Sequence, residues 1–113
     1  MCMKISKEEL LRINKGFGGS LRSDSSLDYA IDKQEDKKLR EYKKLAYLLR
    51  SILVDHPFSD GNKRTAMYLC LQFVEQTKKN VDRELLLHQI IAIASKNLTD
   101  IRQISWRIEN AIR

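Results

Sequence analysis

The chain has 113 residues, 42% of them hydrophobic and 32% charged, with a net charge of +6. That length suits one domain, 1–113, with a core that buries roughly two thirds of the unfolded surface, and the composition excludes a disordered or fibrous chain. No apolar run approaches the roughly twenty residues that cross a bilayer, and the opening "MCMKISKEEL" has no apolar signal core, so a cytoplasmic chain without a membrane partner is expected.

Helix breakers are confined to two places: Gly16, Gly18 and Gly19 near the front, and Pro57 and Gly61 in the middle. Long helical segments lie between them. The first helix opens at a capping box, Ser6-x-x-Glu9, carries Leu10, Leu11 and Ile13, and stops at Gly16. Residues 16–26 are too polar and Gly-rich for a helix and form a loop or short hairpin. Leu27, Ala30 and Ile31 have helical spacing, which predicts a short helix capped by Ser25 or Ser26. The run from Asp32 to Lys44 reads as a solvated face, its alternating charges supporting a helix.

Leu45, Leu48, Leu49, Ile52 and Leu53 form one apolar stripe. That helix ends at Asp55 or His56, because a residue before proline is pushed out of the helical region. The next helix carries Ala66, Leu69, Cys70 and Phe73 on one side and Met67, Leu71 and Val74 on others, so it is expected to be central and buried. Cys70 reads as a small core residue, since apolar burial disfavours the thiolate. Asp82 caps a helix bearing Leu86, Ile90 and Ile93, with His88 among leucines in a structural role. Asp100 with Gln103 opens the last helix, whose Ile101, Ile104, Ile108, Ala111 and Ile112 face inward and whose Trp106 lies off that stripe. The expected fold class is all-α, five or six helices around one central helix.

The stretch from His56 to Ala66, "HPFSDGNKRTA", joins the two most apolar helices. A helix N-terminus presents unpaired N–H groups and the positive end of the dipole, a ready anion site. Gly61 permits close backbone approach to a ligand, and Asn62 supplies an amide. Lys63 and Arg64 stand in the first turn, where cations oppose the dipole by several tenths of a kcal/mol. Two cations where acids belong point to a bound anion. Arg64 can grip a phosphate with two donors, and Lys63 acts as a point charge. Asp60 is a hard oxygen ligand, and one carboxylate with phosphate oxygens and waters is the usual Mg²⁺ arrangement. His56 is a candidate general base, since imidazole changes charge near neutral pH. Pro57 and Phe58 support the loop, Phe58 as an apolar anchor. Together these residues describe transfer from a nucleoside triphosphate to a hydroxyl.

This stretch resembles the signature of the Fic/Doc family, His-Pro-Phe-x-Asp/Glu-Gly-Asn-Gly/Lys-Arg, matched here by nine consecutive positions from His56 to Arg64. "GFGGSLRSDSSLDYAI" is similar to the family's Gly-rich stretch at its target-docking flap, where Arg22 is a candidate target or phosphate contact. "YKKLAYLLRSILVDHPF" resembles the helix leading into the motif. The resemblance covers residues 5–113 and implies a helical domain that moves part of a nucleotide to a protein hydroxyl on Ser, Thr or Tyr. It implies His56 as base, Asp60 as Mg²⁺ ligand, Gly61, Asn62, Lys63 and Arg64 as phosphate cradle, and ATP as co-substrate.

Adenylyl-transferring members carry Gly after the Asn and a second Arg three positions beyond the first, where this chain has Lys63 and Met67. Both departures match the Doc ("death-on-curing") branch. Its members resemble toxins that phosphorylate a translation elongation factor and are restrained by a separate antitoxin. Gly61, where that branch often has alanine, departs from it. Lys63 fills space that glycine leaves open, and Met67 offers no charge for the far end of a nucleotide, so phosphoryl transfer is expected ahead of adenylyl transfer. Ser105-x-x-x-Glu109-Asn110 resembles the family's inhibitory pattern. Ile104 and Ile108 bracket it in a core stripe, so a plain packing helix is preferred, with an inhibitory Ser105 and Glu109 as the alternative. A nucleic-acid-binding helical module is permitted by the +6 charge, but no helix shows a basic stripe interleaved with base-reading side chains.

Overall fold

The computed structural model describes residues 4–113. Helix α1 (Lys7–Gly16) begins at the expected capping box: the Ser6 hydroxyl accepts from the Glu9 backbone N–H, and Glu9 accepts from the Ser6 N–H. The helix runs through Gly16 and closes at Phe17. It buries Leu10 and, one turn on, the polar side chain of Asn14.

Helix α2 (Ser25–Asp32) departs from the expected cap. Asp24 occupies the N-cap position and makes no capping bond, while Ser25 and Ser26 already lie inside the first turn. The Ser26 hydroxyl pairs instead with that of Ser51, 2.9 Å away. Asp24 and Asp28 together hold Lys7 of α1, at 3.2 and 2.9 Å.

The charged run 32–44 is not one helix. Asp32 ends α2, Lys33–Glu35 makes a 3₁₀ turn, and helix α3 starts only at Glu41. A long-range pairing causes the break. The Gln34 side chain is buried, accepts from the Ile5 N–H and donates to the Ile5 carbonyl, each at 2.9 Å. It imitates a backbone ladder and pins this turn to the segment ahead of α1. Asp36 then accepts from the Lys38 N–H, a local turn bond that competes with helix.

Helix α3 (Glu41–Arg50) continues without interruption into a π turn, Ser51–Asp55. Leu45, Leu48, Leu49, Ile52 and Leu53 are all buried, as their spacing requires. Helix α4 (Asn62–Thr77) buries Ala66, Leu69, Cys70 and Phe73, with Met67, Leu71 and Val74 packed half-buried around it. One side of α4 reaches solvent at Lys63, Arg64 and Tyr68. Helix α5 (Arg83–Ser95) is capped by Asp82, which accepts from the Leu85 N–H, and buries Leu86, Ile90 and Ile93. His88 is exposed on the outer side of α5, where Leu87 and Ile91 lie with it. Helix α6 (Ile101–Ala111) is capped by Asp100 and buries Ile104, Ile108 and Ala111, with Trp106 turned outward.

Helices α3 and α6 pack together, α5 bridges α6 and α4, α1 lies on α4, and α2 covers α3. The fold is all-α. Among the described residues, extended pairing is limited to two isolated bridges, Leu21 with Phe58 and Val81 with Ile112. No helix is long and apolar enough to cross a membrane.

Candidate active site

The loop between α3 and α4 takes its shape from three backbone decisions. The π turn widens the end of α3, an irregularity that recurs at functional sites. His56 then adopts a left-handed conformation, φ 50° and ψ 63°. Right-handed helix is closed to it because Pro57 follows. Gly61 is also left-handed, φ 73°, and serves as N-cap of α4 without any side-chain capping bond. Pro57 and Phe58 are buried, and Phe58 anchors the loop in the core.

Both ends of the loop are held by partners distant in sequence. From α1, the Asn14 side chain donates to the Asp60 carbonyl at 2.8 Å and to the Thr65 hydroxyl at 3.2 Å. From the Gly-rich segment, the Leu21–Phe58 bridge lays residues 20–23 antiparallel to the loop. Arg22 and Ser23 donate their N–H groups to the Pro57 carbonyl, at 2.7 and 3.3 Å, and Ser59 donates to the Ser20 carbonyl at 2.8 Å. The Ser20 N–H also reaches the Ser59 hydroxyl at 3.0 Å. The segment expected as a loop or hairpin is therefore a single extended flap paired to the motif itself.

His56 is half-buried, and among the described residues nothing hydrogen-bonds its imidazole. Its carbonyl accepts from the Arg22 guanidinium at 3.3 Å, so Arg22 clips the flap to the loop at the base of His56. Asp60 is exposed. One carboxylate oxygen accepts from the Gly61 N–H at 2.8 Å, which leaves the other free. Among the described residues, no group of three or more His, Cys, Asp or Glu could hold a metal by itself. The free Asp60 oxygen fits a single carboxylate contact to a Mg²⁺ whose other ligands would be phosphate oxygens and water.

Lys63 and Arg64 are exposed on the first turn of α4, and neither is ion-paired among the described residues. The first-turn N–H groups of an uncapped helix have no intrahelical partner. Backbone donors and two cations therefore stand together in the first turn of α4, directly after Asp60 and Gly61 in the chain. Asn62 departs from its expected role. Its amide donates to the Phe58 carbonyl at 3.0 Å and accepts from the Phe58 N–H at 3.4 Å, so the side chain braces the loop and only its backbone N–H faces outward. Gly61 also has a different reason. A Cβ there would stand 3.0 Å from the Phe17 Cβ and 3.2 Å from the Phe17 carbonyl oxygen, so the close approach is to the end of α1.

Sequence reading missed Asn14 and Gly19. A Cβ on Gly19 would collide with the Asn14 side chain and the Asp60 carbonyl. The signal for Asn14 was a polar residue four positions after Leu10 on the inward side of α1. The structure does not bring Ser105 and Glu109 to this site. Ser105 donates to Glu109 at 3.1 Å, and both line a groove with Tyr42 at the start of α3. His56 lies past the other end of that helix, roughly 20 Å away at 1.5 Å per residue.

A family model described as "Fic/DOC family" matches residues 4–74, more than half of the chain. No curated protein and no solved structure matches it. The matched span runs through α1, the flap, α2 and α3 to the motif and most of α4, the same segments that the hydrogen bonds tie into one site. The chain belongs to the Fic/DOC family, whose members transfer nucleotide-derived groups to proteins.

Proposed function

We propose that this protein is a Doc-like phosphotransferase that moves the terminal phosphoryl group of ATP to a Ser, Thr or Tyr hydroxyl of a target protein. One observation carries the reading: the N-terminus of α4 has no side-chain cap, its exposed Lys63 and Arg64 have no ion-pair partner among the described residues, and it follows the loop that carries His56 and Asp60. Lys63 and Met67 stand where adenylyl-transferring relatives of the motif would have glycine and a second arginine. His56 takes the proton of the acceptor hydroxyl, and its oxygen forms a bond to the terminal phosphorus. The bond from that phosphorus to the bridging oxygen breaks, and ADP leaves. Lys63, Arg64 and the first-turn N–H groups of α4 bind the phosphate oxygens and offset charge in the transition state. Bound through Asp60, Mg²⁺ would supply charge neutralisation across the phosphates. The flap, paired along Pro57–Ser59, offers an edge on which a target segment can be aligned. Control by a separate antitoxin chain belongs to the same reading.

The test is transfer of label from γ-labelled ATP with Mg²⁺ to a protein in a cell extract. His56→Ala should cost about 10²–10⁴ in rate, the worth of a general base. Label arriving only from α-labelled ATP would replace phosphoryl with adenylyl transfer. Salt-sensitive DNA binding without any transfer would favour a nucleic-acid module.

A further inference from the structure

A second surface lies away from the motif, at the start of α3. A groove of about 450 Å³ runs between that end of α3 and the side of α6. Leu39, Tyr42, Tyr47 and Ile101 give it an apolar floor, and Lys38, Arg40 and Lys43 bring charge from the α3 side. Residues 37–44 hold five cations and one acid, so +4 of the net charge of +6 is gathered on this short stretch. Lys79 pairs with that acid, Glu41, at 3.4 Å, and none of the five cations is ion-paired among the described residues. On the α6 side, Ile101, Ser105 and Glu109 follow one another at four-residue spacing, so the groove tracks that helix for about 12 Å, or about two turns. Trp106, the chain's single tryptophan, neighbours Glu109 at i, i+3 and is 62% exposed.

We infer that this groove docks an acidic amphipathic helix of a partner protein. Apolar side chains one turn apart seat on the Leu39, Tyr42 and Ile101 floor, Asp or Glu face Lys38 and Arg40, and Trp106 is an outer anchor. Charge complementarity selects this occupant: unpaired cations around an apolar floor match a helix that is acidic and apolar on one face. An exposed tryptophan near two tyrosines is the residue type that carries binding energy between proteins. A single-stranded nucleic acid, the other polyanion, stacks its bases on open aromatic faces. Here Lys79 lies over the Tyr42 ring at 5.4 Å, and Lys33 and Arg50 lie over the Tyr47 ring at 5.2 and 5.1 Å. A second copy of this chain would have to offer its acidic helix α2, whose Asp24 and Asp28 are already held by Lys7. His56 lies past the far end of α3, so an occupant leaves the motif uncovered and docking is independent of the transfer chemistry.

The probe is a synthetic helix of about fifteen residues, with a leucine stripe at helical spacing, glutamates flanking the stripe and no aromatic residue. It is added to the full chain. Calorimetry gives its affinity, and the emission of Trp106 reports where it sits, since the chain has no other tryptophan. The peptide should bind and shift that emission. Lys38 and Arg40 are both exposed, and circular dichroism checks the fold of the double variant Lys38→Glu, Arg40→Glu. It should bind about tenfold more weakly, as two attractions become repulsions. Glu109→Gln removes the groove's own carboxylate and should tighten binding about twofold, a gain that a purely structural role would not produce. No binding of the peptide, equal binding of a scrambled peptide of the same charge, an unshifted Trp106 emission, or an affinity unmoved by the charge reversals would each overturn the docking site. An oligothymidylate that binds more tightly than the peptide, and weakens in the same double variant, would assign the surface to nucleic acid instead. A wild-type oligomer in sedimentation that the double variant dissolves would assign it to a second copy, and either result overturns the acidic helix.

Discussion

Gly61→Ala isolates the backbone geometry on which the site depends. Gly61 has φ 73°, and an L-residue there costs about 1–2 kcal/mol from the clash of its Cβ with the adjacent carbonyl. The new Cβ would also stand 3.0 Å from the Phe17 Cβ and 3.3 Å from the Asn14 amide nitrogen, so the end of α1 must shift. The two effects together come to about 2 kcal/mol. For a chain of 113 residues the unfolding entropy is about 0.24 kcal/mol/K, so Tm should fall by about 8 °C. Gly16→Ala is the matched control. Gly16 closes α1 with nothing within 4 Å of a built Cβ, and alanine there should raise stability by about 0.5 kcal/mol, or about 2 °C. Thermal melts followed by circular dichroism at 222 nm give both numbers. A Gly61→Ala protein that melts within about 2 °C of wild type would refute the argument.

The same packing has three further measurable outcomes. Glu109→Gly should leave transfer activity unchanged, because Glu109 accepts from Ser105 at the far end of α3; a rise in rate would restore an inhibitory role. Burial pushes the Cys70 thiol up to about 12, so in native protein at pH 8 peptide mapping should find Cys70 unalkylated, and rapid labelling would contradict its place in the core. Burial also raises the Tyr42 phenol, which donates to the Ile112 carbonyl at 2.8 Å. Its folded value exceeds the unfolded one near 10, so the stability it contributes is present below that pH and is lost as pH rises through the folded value. Wild type should therefore lose Tm above about pH 10 more steeply than Tyr42→Phe, and parallel curves would show that Tyr42 plays no part.

What the sequence displayed well was whatever is written locally. The Ser6–Glu9 box, the Asp82 and Asp100 caps and the apolar stripe from Leu45 to Leu53 each lie within a few turns of what they control, and each formed as spaced. The failures share one cause, a partner far away in the chain. Gln34 sits in a charged run that reads as solvated, yet its amide closes on Ile5, 29 positions earlier, and breaks the helix there. Ser26 looked like a cap and instead meets Ser51.

The same distinction explains the site. Nine consecutive residues match the family signature, because the chemistry proposed for it requires particular side chains at particular offsets. Those nine residues do not hold themselves in place. Asp60 is fixed through its carbonyl by Asn14, 46 positions away, and Phe58 and Ser59 are paired by residues of the flap. Asn14 in turn needs Gly19, since any side chain there would displace the Asn14 amide and the Asp60 carbonyl at once. A polar side chain buried on the inner face of α1 is costly unless bonded. Here its Nδ2 donates to both sides of the α4 N-cap, across Gly61, while its Oδ1 is buried with no partner among the described residues. Docking of α1 and the shape of the phosphate site are therefore one equilibrium: loosening α1 leaves the signature intact in sequence and removes the geometry that lets it act.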